Sequence, residues 1–150
     1  KVQFLIFGEG AYKEKLNENI KNRGLKNIFV LGKIDYSKVY TILKNSNISF
    51  VSLKNTNMKD SIPTKMFDAL GIGCPVLLLA SGDSVNILEQ SGLGESAKNL
   101  EELKNKLHYM IENYKSYENK KDDCISYIIN NYSREKIANK LNLKMVEYVK

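Results

Sequence analysis

Asp60-Ser61-Ile62-Pro63-Thr64-Lys65-Met66-Phe67-Asp68-Ala69-Leu70-Gly71-Ile72-Gly73-Cys74-Pro75-Val76-Leu77-Leu78-Leu79 decides the fold of this chain. It reads as loop, short helix, sharp turn and buried strand. Pro63 fixes φ and lacks an N–H, which suits the first turn of a helix. Ser61 and Thr64 are placed to cap that turn. Met66, Phe67 and Leu70 give it an apolar face at helical spacing. Gly71 and Gly73 let the chain leave the helix and reverse. Residues 76–79 are a continuous apolar run of buried-strand length. The start of such a helix presents unpaired N–H groups and a positive dipole end, a setting for phosphate. Lys65 adds a full positive charge there. Asp68, one turn on, can accept paired hydroxyl hydrogen bonds, as acidic residues do with ribose. An ordinary capped helix with surface charges is the plainer account, and this stretch alone fits both.

Upstream, residues 2–7 are an apolar run that ends in Gly8-Glu9-Gly10. Strand, Gly-x-Gly and helix open a nucleotide-binding unit. The third glycine of the dinucleotide fingerprint is absent, with Lys13 in its place, and no acidic residue ends the next strand. A nicotinamide cofactor is therefore not expected. Tyr12, Leu16 and Ile20 recur at helical spacing up to Gly24. Residues 28–31 are the second strand, followed by Gly32-Lys33-Ile34. Asp35 or Ser37 can cap the next helix, whose buried face is Val39, Ile42 and Leu43. Tyr36 and Tyr40 are expected to pack. Residues 48–51 are a third strand, and the polar loop 52–60 follows it, where such sheets bind ligands.

Downstream, Ala80-Ser81-Gly82-Asp83 turns into a short helix built on Val85 and Leu88 and closed by Gly92 and Gly94. Residues 95–97 suit a short edge strand. Asn99 and Glu102 form a capping-box-like pair, and Leu103, Leu107, Met110 and Tyr114 make a helical stripe. His108 sits beside it, read as structural or solvated. Tyr117, Cys124, Ile125 and Ile128 mark one further helix. Ser133 caps the last, with Ile137, Leu141, Met145 and Tyr148 or Val149 facing inward. Four or five short strands alternating with helices argue an α/β fold, a Rossmann-like parallel sheet with helices on both faces. Right-handed crossovers would place the loops carrying Gly8, Ile34 and Asp60 to Asp68 along one edge.

The totals narrow the classes. At 150 residues and 43% apolar content, the chain is one domain's worth with room for a core. No apolar run approaches the roughly 18 residues of a membrane span. The two cysteines have no metal or redox spacing and read as free thiols. No His, Asp and Glu cluster has metal-ligand spacing. A net charge of +6 favours anionic partners such as nucleotide phosphates or an acidic membrane surface. The lysines are spread over every helix, which argues against nucleic acid. The chain opens at Lys1 directly on a strand, and we expect a fragment.

Asp60 and Asp68 stand eight residues apart, followed by a small-residue turn, Pro75-Val76 and an apolar strand. In this the chain resembles the C-terminal half of a GT-B glycosyltransferase, of the large retaining group that uses nucleotide-diphosphate sugars. It is most similar to bacterial polysaccharide and lipopolysaccharide enzymes with a Pro-Ser-Lys stretch before the second acid, here Pro63-Thr64-Lys65. The resemblance runs from Phe4 to the final helix.

It implies a donor-nucleotide site of Gly8, Gly10, Lys33, Ile34, Ser61, Pro63, Thr64, Lys65 and Asp68, with Asp60 near the donor sugar. The glycine turn would face the phosphates and sugar. Backbone at Lys33 and Ile34 would contact the base. Pro63 to Lys65 would hold the diphosphate, and Asp68 the ribose. The donor is a substrate rather than a cofactor, with UDP expected ahead of GDP and no metal. The acceptor would be a glycan or a lipid-linked acceptor bound through a missing N-terminal domain. The setting would be cytoplasmic, with peripheral contact at the inner membrane face.

Two departures count. Both acids are Asp where the family usually has Glu, at least at the second. The family's diphosphate-gripping Arg and Lys pair lies on a strand upstream of this chain's start. We therefore expect a single Rossmann-like domain over residues 1–150 that lacks its first strand and catalyses no transfer alone. The alternatives are a non-catalytic nucleotide- or partner-binding domain of the same fold and a sugar-nucleotide epimerase. The epimerase's Ser-Gly-Gly turn is missing, since Ser81-Gly82 is followed by Asp83. A receiver domain needs an Asp after the central strand, and Val51-Ser52-Leu53 offers none.

Overall fold

A computed structural model describes residues 2–53 and 61–148. The chain forms two compact units, Lys1–Thr41 and Ile42–Lys150. In the first, β1 (Phe4–Ile6) and β2 (Ile28–Val30) pair in parallel, with α1 (Lys13–Asn22) between them in sequence. Phe4 lies opposite Ile28 and Ile6 opposite Val30. The ladder is extended by the Phe4 N–H, which donates to the Asn27 carbonyl at 2.8 Å. Leu16 and Ile20 of α1 are half-buried, whereas Tyr12 lies before the helix and is exposed. Phe4, Leu5, Ile6, Phe29 and Leu31 stay substantially exposed.

Helix α2 (Tyr36–Lys44) begins in the first unit and ends in the second. Tyr36 and Tyr40, expected to pack, are exposed at 77% and 56%. They share a face one turn apart, while the half-buried face is that of Val39, Ile42 and Leu43.

The second unit holds a parallel sheet in the order β3 (Ser49–Ser52), β4 (Val76–Leu79), β5 (Gly94–Ala97). Between the strands run α3 (Thr64–Leu70) and α4 (Asp83–Ser91). After the sheet come α5 (Leu100–Glu112), α6 (Tyr114–Glu118), α7 (Lys121–Tyr132) and α8 (Arg134–Tyr148). Val76 and Leu78 of β4 are fully buried and Leu77 nearly so. They face Met66, Leu70, Leu88, Leu93, Met110, Cys124 and Ile128 in one core. The edge strand β5 carries Glu95, whose carboxylate accepts from Lys106 Nζ at 2.7 Å and from the buried Tyr117 hydroxyl at 2.8 Å. These bonds tie β5 to α5 and α6.

Asn99 caps α5 through a 2.9 Å bond from the Glu102 N–H, and the Glu102 carboxylate accepts from the Lys98 N–H at 2.9 Å. Ser133 accepts from the Lys136 N–H at the start of α8. Two expectations are corrected. Tyr117, Cys124 and Ile128 do not share one helix: Asn119 caps the end of α6, and α7 starts two residues later. In α8, Ile137, Leu141, Met145 and Tyr148 are exposed rather than inward-facing, and so are Leu143 and Val146. Its apolar residues are spread around the helix, so no single stripe meets the core. Val149 lies outside the described residues.

The turn into β4 depends on Gly73. Its φ is +73°, and a Cβ there would sit 3.1 Å from Lys121 Cβ and 3.2 Å from Ile125 Cδ1 of α7. Gly73→Ala should destabilise the second unit by about 2 kcal/mol, read from the midpoint of urea unfolding. Cys74 and Cys124 are buried free thiols, each pushed up to about 11 by burial. Almost no thiolate exists near pH 8, so both should resist a thiol reagent in the native protein and react once urea unfolds it.

Candidate functional site

In the first unit, the turn after β1 and the turn after β2 are locked together. The Gly8 N–H donates to the Gly32 carbonyl at 2.7 Å. Gly32 is buried and has φ +72°, a conformation that favours glycine. The space its missing side chain leaves is taken by Glu9. A Cβ on Gly32 would lie 3.0 Å from Glu9 Oε1 and 3.5 Å from Lys13 Nζ. The Glu9 carboxylate accepts from Lys13 Nζ at 2.8 Å, and the Lys33 backbone N–H is a weaker influence on its charge. Lys13 is the first residue of α1, and its own N–H returns to the Gly10 carbonyl at 3.1 Å. Gly8, Gly10 and Lys33, picked out in the sequence, are thus brought together, with Ile34 half-buried next in the chain. The bond from Lys13, then its charge, holds the Glu9 carboxyl below its usual range, and the Lys33 N–H adds to this. Sequence reasoning missed Glu9 and its partner Lys13. Their i,i+4 spacing was the available signal.

In the second unit, Ser61, Pro63, Thr64, Lys65 and Asp68 lie on or just before α3, and Asp60 lies outside the described residues. Ser61 and Thr64 do not cap this helix. Pro63 is the N-cap residue, extended at φ −72° and ψ 124°, and no side chain bonds the first-turn N–H groups from the cap. A proline side chain has no acceptor, so the capping role expected of its neighbours is absent.

Lys65 is exposed and Asp68 half-buried, three residues apart on one helix face. The opposite face of α3 is anchored by Met66, Ala69 and Leu70, all fully buried. Phe67 packs on Tyr132 of α7 with ring centroids 5.1 Å apart. Tyr132 in turn meets Tyr127, whose hydroxyl donates to Gln90 Oε1 of α4 at 2.7 Å. Lys65 and Asp68 therefore project from a short helix clamped on its far side. The clamp residues lie far away in sequence, and no local pattern marks them.

His108 is exposed on α5. Among the described residues no group of His, Cys, Asp and Glu could hold a metal ion, and no helix is long and apolar enough to cross a membrane.

The family model of the glycosyl transferases group 1 matches residues 1–143. No curated protein matches the chain. Among solved structures, a TarM variant from S. aureus in complex with fondaparinux, alpha-GlcNAc-glycerol and UDP is similar, at TM-score 0.73 and 24% identity. That match covers 95% of this chain and 29% of TarM's, and the likeness is one of fold. The parallel, Rossmann-like α/β architecture read from the sequence agrees with it.

The Glu9 bonds make a pH prediction. A carboxylate held below its ordinary value of 4.5 keeps its partners fully bound above that value and loses them as pH falls through the lowered one. The Lys33 amide resonance should follow this titration in NMR spectra with a midpoint below 4.5. In Lys13→Gln the midpoint should move back up.

Proposed function

The chain belongs to the group 1 glycosyl transferases, and we propose from this membership that it is the donor-binding half of a retaining, GT-B-type hexosyltransferase. The full enzyme moves a sugar from a nucleotide-diphosphate donor to a glycan or lipid-linked acceptor in surface polysaccharide synthesis. UDP is the favoured nucleotide, a choice supported by the UDP bound to TarM. The observation that carries the reading is the family match across residues 1–143.

In this reading the backbone of the glycine turn, Gly8 and Gly10, faces the donor's phosphates and sugar. Lys33 and Ile34 meet the base. The first turn of α3, with Ser61 and Pro63 ahead of it and Thr64 and Lys65 within it, receives the diphosphate. The uncapped start of α3 supports this, since its N–H groups have no side-chain acceptor at the cap. Asp68 accepts the ribose hydroxyls, and Asp60 approaches the donor sugar. In transfer the bond from the sugar's anomeric carbon to the diphosphate oxygen breaks, and a bond to the acceptor oxygen forms as that hydroxyl loses its proton. Negative charge grows on the departing diphosphate. Backbone N–H groups and the Lys65 ammonium can stabilise it without a metal.

The chain spans 29% of TarM's length, in keeping with a part of a longer enzyme. The acceptor half and the upstream basic pair would lie elsewhere, so the chain alone would not catalyse transfer. The net charge of +6 supports a peripheral place at the cytoplasmic face of the inner membrane.

Calorimetric titration with UDP and GDP tests the donor site. One nucleotide, UDP in this reading, should bind, and Lys65→Ala and Asp68→Ala should each weaken it by about tenfold or more, as loss of a charge-assisted hydrogen bond does. A chain extended at its N-terminus that binds neither nucleotide would favour a non-catalytic domain, with Asp in place of Glu marking a lost site.

A further inference from the structure

In the first unit, Glu9 joins two turns that are separate in the sequence. Its carboxylate accepts from the Lys13 ammonium at 2.8 Å and sits against Gly32, with Oε1 3.0 Å from where a Cβ would stand, and the Lys33 backbone N–H nearby adds a smaller pull on the same charge. Gly32 leaves the room for it. The Gly8 N–H bond to the Gly32 carbonyl, at 2.7 Å, runs alongside. None of these partners depends on a ligand.

The arrangement is costly to place by chance beside an anion. A bare carboxylate at a phosphate-facing turn repels its ligand. Here the Lys13 ammonium lies 2.8 Å from the carboxylate and offsets that charge. The carboxylate is left to act as a hydrogen-bond acceptor, and what it fixes is the backbone of residues 32–33, next to Ile34. Backbone recognition demands such fixing, because N–H and C=O groups can be aimed only by setting the φ and ψ of the turn that carries them.

We propose that Glu9 is a positioning residue of the donor site, which holds the Gly32–Lys33 turn in register with the Gly8–Gly10 turn so that both backbones meet one nucleotide. This rests on the donor-binding reading above. Glu9 itself touches no substrate in this scheme. Lys13 serves to neutralise and orient it. The class of ligand it serves is a nucleoside diphosphate, whose base lies at the second turn and whose phosphates lie at the first.

The test joins two measurements on the full chain, wild type beside Glu9→Ala, Glu9→Gln and Gly32→Ala. The first, without nucleotide, is hydrogen exchange at the Lys33 amide. The second is UDP and GDP affinity by calorimetry, with the melting temperature as a control. Glu9→Ala should speed Lys33 exchange and weaken nucleotide binding by about tenfold at an unchanged melting temperature. Glu9→Gln keeps an acceptor for the Lys33 N–H and loses only the exposed ion pair, so it should restore affinity to within about fivefold of wild type. Gly32→Ala should weaken binding from the other side of the contact. Faster Lys33 exchange in Glu9→Ala with unaltered nucleotide affinity would overturn the positioning role and leave the donor site standing. Binding of neither UDP nor GDP, by the wild-type chain and by the chain extended at its N-terminus alike, would overturn the donor reading and this role with it, and Lys33 exchange would still report whether the contact exists.

Discussion

Burial of β4 on both faces is the constraint on which the second unit depends. Val76, Leu77 and Leu78 have no solvent side, so every N–H and C=O along the strand must be paired by neighbouring strands. β3 and β5 supply that pairing in parallel. Parallel neighbours require crossovers, and α3 and α4 are those crossovers. The helices in turn cover the sheet faces that β4 cannot leave exposed. Position and direction of α3, which carries Lys65 and Asp68, are therefore consequences of one apolar tetrapeptide. Met66, Ala69 and Leu70 fix which way that helix rolls, and the Phe67–Tyr132 contact holds its other flank.

β5 shows how the sheet ends. An edge strand invites further pairing unless charge or cover blocks it. Glu95 supplies the charge, and Lys106 and Tyr117 bind both its oxygens. The Tyr117 hydroxyl is pushed up, first by burial and then by its bond to Glu95, so it stays a proton donor across the physiological range. The carboxylate thereby seals the edge and staples α5 and α6 to it. In the first unit no comparable core exists among the described residues, since its apolar strands stay substantially exposed. Two short strands and one helix are marginal by themselves, so local contacts such as those of Glu9 carry more of the order there.

How much of this was legible depended on whether a feature's cause was local. β4 was read to the residue because an unbroken apolar run between Pro75 and Ala80 admits little else. The Asn99 and Glu102 cap was read because both partners lie within one turn. The start of α3 was misread at its cap: Pro63 took the position that Ser61 or Thr64 was expected to serve. The break between α6 and α7 has no Gly or Pro to announce it, only Asn119. The stripe of α8 was periodic in the residues chosen, but Leu143 and Val146 fall outside it. Periodicity tells which residues could be buried together, and only a partner surface decides whether they are.

The same distinction separates the candidate residues of the first unit from those of the second. Lys65 and Asp68 are candidates by their side chains, and side chains at fixed spacing leave a motif that can be read. The Gly8 and Gly32 turns offer backbone, and backbone leaves only glycines in the sequence, which many turns share. What joins these two turns directly is the Gly8 N–H to Gly32 carbonyl bond, and Glu9 fills the space beside it near a main-chain N–H 24 residues away that any non-proline residue could provide. No residue type at position 33 would have betrayed the contact. The requirement is instead visible from its negative, the absence of a side chain at Gly32 where the carboxylate sits. A glycine with positive φ beside an acidic residue from another turn is thus a sign to seek wherever a parallel sheet builds its binding edge from backbone.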